Sequence, residues 1–368
     1  MTTFQGMSNT FGEYLRITTW GESHGPGIGV VIDGLPAGIP VDEAMLVKEL
    51  ERRRPGAVLT SPRKEPDQPR ILSGVHEGRS LGTPLSIWIE SVDARSEDYD
   101  ELGKIYRPGH ADYTTEARYG HRDPRGGGRA SARETAARVA AGAVAKALLR
   151  IEHGIEIVGW VSEVSGIASE VDPLEVSTEA VDKSIVRCPD ASSSELFVNR
   201  ISQAKDEGES LGGWVAAVAR NVPAGWGDPV FGKLKALLGQ AMLSIPATVA
   251  IEMGDGIAAT RRMGSENNDS FTATTSGEVK TRTNRSGGIQ GGISNGEPIW
   301  FRVGFKPTST ILKTQDSVNQ SRQEVQFSGT GRHDPCVLPR AVAVVESMLA
   351  LVLADRMLAR NATPPSKE

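Results

Sequence analysis

Six short runs of alternating or β-branched apolar residues, each bounded by glycine or proline, predict strands at residues 14–19, 28–33, 85–90, 157–164, 213–220 and 299–305. Four stretches carry helical signals instead. Asp42 caps a run through Leu46 and Leu50 that ends in Arg52, Arg53 and Arg54 before Pro55, with cations at the negative end of the helix dipole. An alanine-rich run from Ser131 to His153 is stopped by Gly154, and its small side chains imply close burial between layers. Residues 229–242 and 339–357 predict two further helices, the second strongly apolar and opened by a proline suited to a first turn. No apolar run approaches membrane-spanning length. The longest polar stretch, residues 264–298, has no core face of its own and reads as either a functional or a disordered loop.

Composition narrows the class. A chain of 368 residues can form two domains, but no linker divides the predicted elements and large single α/β domains exist. The net charge of −5 with arginines gathered locally points to small anionic ligands rather than a nucleic-acid backbone, and 5% aromatic residues leave little for stacking bases. Cys188 and Cys336 sit in neither a CxxC nor a Cys/His spacing, so no disulfide scaffold and no metal site is expected. The N-terminal residues lack the basic-then-apolar order of a signal peptide, and the expected location is the cytoplasm.

The densest chemistry lies at residues 122–138, RDPRGGGRASARETAAR, where five arginines surround a glycine triplet before the alanine-rich helix. Ser131 and Glu134 have capping-box spacing, so the helix is expected to begin near Ser131 with its N–H groups exposed, flanked by Arg129 and Arg133. Gly126, Gly127 and Gly128 let a phosphate or carboxylate approach the backbone while guanidinium groups grip its oxygens. A solvated RGG turn is the plain alternative. Lys306-Pro307-Thr308-Ser309-Thr310 follows a predicted strand and supplies a cation and hydroxyls without acids, a second anion contact beside a loop able to close. Ser23 and His24 lie among glycines at a strand end. His110 follows Arg107-Pro-Gly, with Asp112 available to orient it. Asp334 precedes the last helix as either a cap or an acid/base group.

Taken together, GESHGPGIGVVIDGLPAG at 21–38, RPGHADYT at 107–114, RGGGRASARETAARVAAGA at 125–143, KPTST at 306–310 and GRHDPCVLPRAVAVVESM at 331–348 resemble the chorismate synthase family, over about residues 10–355. The resemblance implies a lyase that converts 5-enolpyruvylshikimate 3-phosphate to chorismate and phosphate by anti 1,4-elimination, with reduced FMN and no net redox change. By resemblance, His24, assisted by Ser23, protonates or hydrogen-bonds the departing phosphate, His110 stabilises the reduced flavin, and Asp334 relays a proton from flavin N5. Arg53 and Arg133 bind substrate anions, as does Arg332, which also lies near the flavin. Arg129, Ala130, Ser131, Ala247, Gly291 and Lys306 to Thr310 match flavin-holding segments. Where the family usually carries another arginine this chain has Ala57, Val58 and Leu59, and Arg63 takes that substrate or NADP contact only if the loop is rearranged.

The implied fold is an α/β (α+β) single domain, a β-α-β sandwich with helices between sheets, spanning residues 1–355 with a loose tail at 356–368 and assembled as a homotetramer. Some members reduce flavin with NADPH. No GxGxxG fingerprint joins a strand to a helix here, so a separate flavin reductase or a reduced flavin pool is expected. A flavin oxidoreductase with net electron transfer and an RNA-binding module are the competing classes. Stoichiometric loss of reductant would mark the first and steeply salt-dependent RNA binding the second.

Overall fold

A computed structural model describes residues 9–54, 59, 65–92, 102–329 and 334–364. Among them are eight α-helices: α1 (Glu43–Arg53), α2 (Asp112–Tyr119), α3 (Thr135–His153), α4 (Thr178–Lys183), α5 (Ala191–Asp206), α6 (Leu234–Leu243), α7 (Gly264–Asn267) and α8 (Leu338–Ala362). Two five-stranded antiparallel sheets hold the rest of the core. The first runs Thr10–Phe11, Arg16–Trp20, Gly27–Asp33, Leu85–Glu90, Pro69–Ser73 in spatial order, the second Thr248–Met253, Ile299–Phe305, Gly213–Arg220, Glu156–Val164, Ile167–Ala168. Register follows the apolar alternation: Ile28 pairs with Ile89, Val30 with Ile87 and Ile32 with Leu85, all buried.

The alanine-rich α3 and the apolar α8 pack along each other, α3 against the first sheet and α8 against the second, with α1 touching both helices. Small side chains permit this approach. A Cβ built on Gly142 of α3 would collide with the Cβ of Ser347 on α8. Every residue of α8 from Leu338 to Met357 except Arg340 is buried, as expected for a helix apolar on nearly all sides. At its centre the fully buried Glu346 accepts hydrogen bonds from Arg52 at the end of α1, from Lys146 Nζ of α3 (2.7 Å) and from the Gly159 amide of the second sheet (2.7 Å). One carboxylate thus joins two helices and a strand to α8.

Several boundaries differ from the expectations. The capping box at Ser131 does not form. Ser131 caps a 3₁₀ turn at Ala132–Glu134, accepting from the Arg133 amide at 3.2 Å, while Glu134 accepts from Thr19 Oγ1 (2.8 Å) and Arg138 Nε (2.8 Å), so α3 starts only at Thr135. The helix sought at 229–242 occupies Leu234–Leu243, and α8 runs to Ala362, past the expected domain end at 355, with Arg356 and Met357 buried. Residues 264–298 are not structureless: they form α7 and two small hairpins, Phe271–Ala273 with Val279–Thr281 and Ile289–Gln290 with Ile293–Ser294. Arg52 and Arg53 do occupy the last turn of α1, at the dipole end as expected, but they are also buried in ion pairs with Glu346 and Asp67.

Candidate active site

A cavity of about 620 Å³ opens where the ends of both sheets meet the first turns of α8. Residues 23–24 after the Arg16–Trp20 strand, the 107–111 and 124–132 segments, the turn after α6 and the 305–310 segment all line it. It contains Ser23, His24, His110, Arg53, Arg129, Ala130 and Ser131, together with Ala247, Lys306, Thr308, Ser309 and Thr310. Among the described residues none of its lining is acidic, whereas Arg53, Arg107, Arg122, Arg129, Arg138, Arg340 and Lys306 all reach it.

His24 is seated by an absent side chain. A Cβ on Gly126 would stand 2.6 Å from His24 Cδ2 and 3.2 Å from Ser23 Oγ, and the φ of +77° at Gly126 is one that other residues rarely adopt. Ser23 Oγ is buried without a hydrogen-bond partner, a polar atom on the cavity wall suited to a ligand oxygen. Asp123 stands nearby, its carboxyl held below the usual range by its hydrogen bond from Arg125, with His24 adding to the effect.

His110 Nδ1 lies 2.9 Å from Asp112 Oδ1. Asp112 also accepts from Arg107 at Nε (2.7 Å), Nη2 (2.7 Å) and the backbone amide (3.1 Å), and Arg122 approaches to 3.6 Å. Burial pushes the Asp112 carboxyl upwards, but hydrogen bonds from Arg107 and His110 outweigh it and hold the group well below the ordinary carboxylate range. An ionised Asp112 can only accept, so Nδ1 of His110 carries a proton and Nε2 is the ring atom left for a ligand. Arg107 Nη2 also donates to the Gly126 carbonyl at 2.9 Å, tying this network to the glycine segment.

Arg53 and Arg133 converge on one buried acid, Asp67, each donating to a different carboxylate oxygen. Burial opposes ionisation of Asp67, but the two guanidinium groups prevail and hold its carboxyl below the usual value. Burial lowers Arg53 to about 10, Asp67 opposing that shift and Arg340 and Arg133 adding to it, so it stays charged at neutral pH. Arg133 does not line the cavity. Its guanidinium is spent on Asp67 and on the Glu90 carbonyl at 2.8 Å. Arg129 donates to the Gly21 carbonyl (3.1 Å) and to Thr19 Oγ1 (2.6 Å), so it braces the strand end while lining the wall.

On the opposite wall Lys306 Nζ donates to Ser309 Oγ (2.9 Å) and to the Gly109 carbonyl (3.2 Å), joining the 306–310 segment to the His110 turn. Thr308 Oγ1 donates to the Asp334 carbonyl at 2.9 Å. Asp334 itself stands behind the lining, paired through Oδ2 with Arg340 Nη1 at 2.6 Å. Pro307 does not face the cavity, and Gly291 sits in the 289–294 hairpin turn away from it, because that glycine-rich segment folds back on the start of α6. Arg63 and Arg332 lie outside the described residues. Arg107, Arg122, Arg138, Arg340 and Asp67 were missed as site residues. All four arginines stood within segments already singled out, but no spacing there marks their partners, whereas nothing in the sequence points to Asp67.

The fit to a flavin rests on this lining: Ile245, Phe305, Phe327, Val337 and Val344 offer apolar wall for a planar ring, and the cationic side chains face anionic groups. A profile of the family described as chorismate synthase matches residues 15–358. The chain belongs to the chorismate synthase family. The chorismate synthase of Synechococcus elongatus is 53% identical over 357 residues, covering 97% of this chain and 99% of its own. That of a Synechocystis species is 53% identical over 353 residues, covering 96% and 98%. A solved structure titled "Crystal Structure of Chorismate Synthase" superposes with a TM-score of 0.74 at 33% identity, over 95% of this chain and 93% of that one. The chain is accordingly a lyase that forms chorismate from a small-molecule substrate in the shikimate pathway of aromatic amino acid biosynthesis, and chorismate synthases use reduced flavin. Among the described residues no helix is long and apolar enough to cross a membrane.

Proposed function

We propose that the cavity carries out the anti 1,4-elimination of phosphate from 5-enolpyruvylshikimate 3-phosphate, with His24, His110 and Asp334 as its proton-handling groups. The observation that carries this reading is the arrival of His24, His110, Arg129 and Lys306 from four distant segments at one cavity that, among the described residues, has no acidic lining. His24, beside Ser23 and confined by Gly126, donates to the departing phosphate oxygen. Arg53, held by Asp67, offers its charge to substrate anions. Arg133 supports it through the same carboxylate.

Lys306, Thr308, Ser309 and Thr310, with Ala247, Arg129, Ala130, Ser131 and Arg332, would hold FMN. Reduced FMN held there would supply transient electron density for the elimination, with no net consumption of reductant. His110, when protonated, donates from Nε2 while Asp112 balances its charge, which suits a neighbouring anion. Asp334 takes up and passes on one proton at its carboxylate. Reduction of FMN falls to a separate reductase or a reduced flavin pool, with direct reduction by NADPH as the alternative, and the assembly is a cytoplasmic homotetramer.

The test is anaerobic turnover with chemically reduced FMN. Phosphate and chorismate should appear in equal amounts with reductant unchanged, and stoichiometric reductant loss would overturn the reading. His24→Ala and His110→Ala should each lower kcat about 10²-fold or more, with FMN and substrate binding within a few-fold. Unchanged turnover in both removes the histidines from the mechanism.

A further inference from the structure

Arg340 is the third residue of α8, and its side chain lines the cavity although no motif reading gave it a role. It makes two directed contacts. Nη1 donates to Asp334 Oδ2 at 2.6 Å, and Nε donates to the carbonyl of Arg53, the last residue of α1, at 3.1 Å. The Asp334 backbone is fixed independently, because its carbonyl accepts from Thr308 Oγ1. What remains is Asp334 Oδ1, which is buried and has no hydrogen-bond partner among the described residues.

A buried carboxylate oxygen without a donor is costly in a resting protein. A carboxylate free on both oxygens can also turn about its bond and present either one. We propose that Arg340 is a positioning residue for Asp334: it closes Oδ2 and so leaves Oδ1 as the one atom that takes up a proton beside the cavity. This rests on the reading of Asp334 as a proton relay. When the proton arrives, the Oδ1–H bond forms as the donor's bond to hydrogen breaks, the electron pair stays on the donor, and the proton later leaves to water. Arg340 remains protonated throughout, and its bond to the Arg53 carbonyl keeps its fork in register with the end of α1.

A double-mutant cycle separates this from a general structural role. Arg340→Gln should lower kcat about 10²-fold with KM for the substrate and the affinity for oxidised FMN, read by flavin fluorescence, changed less than about threefold. Asp334→Asn should lower kcat similarly, and the double variant should be no more than about twofold slower than the slower single one. Arg340→Lys, which keeps a donor for Oδ2, should regain about a tenth or more of the rate.

Independently of activity, ¹⁵N spectra of the ligand-free protein should show slowly exchanging Arg340 guanidinium protons that are lost in Asp334→Asn. Multiplying effects, an Arg340→Gln variant altered only in KM, or an Arg340 signal indifferent to Asp334→Asn would each overturn the proposal. If Arg340→Gln does not fold, the same kcat-against-KM split in Arg340→Lys decides, a change in KM alone counting against it. Full turnover in Asp334→Asn is a different failure: it removes the relay itself.

Discussion

At Gly126 a missing side chain shapes an acid/base site. Its φ of +77° is costly for alanine, and the added Cβ would meet the His24 ring at 2.6 Å, so the ring must move. Gly126→Ala should therefore lower kcat at least tenfold with a loss of stability near 1–2 kcal/mol, and a crystal structure should show His24 displaced. An active variant with an unmoved ring would show that the seat is not what places His24. Asp112 allows a complementary test, because Asn can still meet Nδ1 but loses the charge that Arg107 and Arg122 surround. Asp112→Asn should reduce kcat more than it raises KM, and ¹⁵N shifts of His110 should report loss of the Nδ1–H form. A His110 spectrum that does not change would end the argument that Asp112 selects the tautomer. His24 was legible in the sequence because glycines bracket it, and His110 because it stands beside a glycine and a cation, Gly109 and Arg107, with Asp112 two residues on. Asp67 was not, since nothing near residue 67 announces that Arg53 and Arg133 meet there.

Among elements, the strands at 85–90, 213–220 and 299–305 follow the predicted bounds because their apolar residues are buried on a paired sheet. The strands that escaped prediction lie at edges. Pro69–Ser73 opens with proline, and Thr248–Met253 leaves Val249 exposed, so neither presents a clean buried face. Helix α5 buries Phe197, Ile201 and Ala204 at helical spacing, a signal present in the chain but diluted by the polar residues around it. The α3–α8 seam depends on small residues more than on apolar ones. Gly142→Val should destabilise the protein by about 1–3 kcal/mol or more through overpacking against Ser347, measured by urea unfolding. Glu346 adds a pH signature. Burial alone would raise it, yet Lys146 and Arg52 bring it from 4.5 to about 2, so the unfolded chain binds this proton at higher pH than the folded one. Its contribution is complete above about pH 5 and is lost as pH falls towards 2. Glu346→Gln should be less stable at neutral pH and show a shallower fall in stability across that window. Parallel curves for the two proteins would exclude Glu346 as the source.

For the molecule as a whole, the distribution of charge matters more than its sum. The chain carries a net charge of −5, yet among the described residues its cavity gathers seven lysine and arginine side chains and two histidines with no acidic residue on the lining. The compensating carboxylates, Asp67, Asp112, Glu134 and Asp334, sit one layer behind, each bonded to a cation that faces inward. Local arginine density was legible in the sequence as a preference for small anions; which arginines would share a cavity depends on contacts between distant segments. This arrangement fixes the cations before a ligand arrives, so their mutual repulsion is relieved when an anion binds. Phosphate should therefore raise the unfolding temperature of the ligand-free protein above that in chloride at equal ionic strength. An anion at 100 times its dissociation constant adds about 2.7 kcal/mol, which corresponds to several degrees for a protein of this size. The substrate, which carries carboxylates as well as phosphate, should act at lower concentration than phosphate alone. Lys306→Ala and Arg129→Ala should each reduce the phosphate effect measured against that variant's own chloride baseline, because both side chains also brace the segments they join. Equal unfolding temperatures in phosphate and chloride would mean that the inward cations are already satisfied by the carboxylates behind them, and that the cavity has no electrostatic preference of its own.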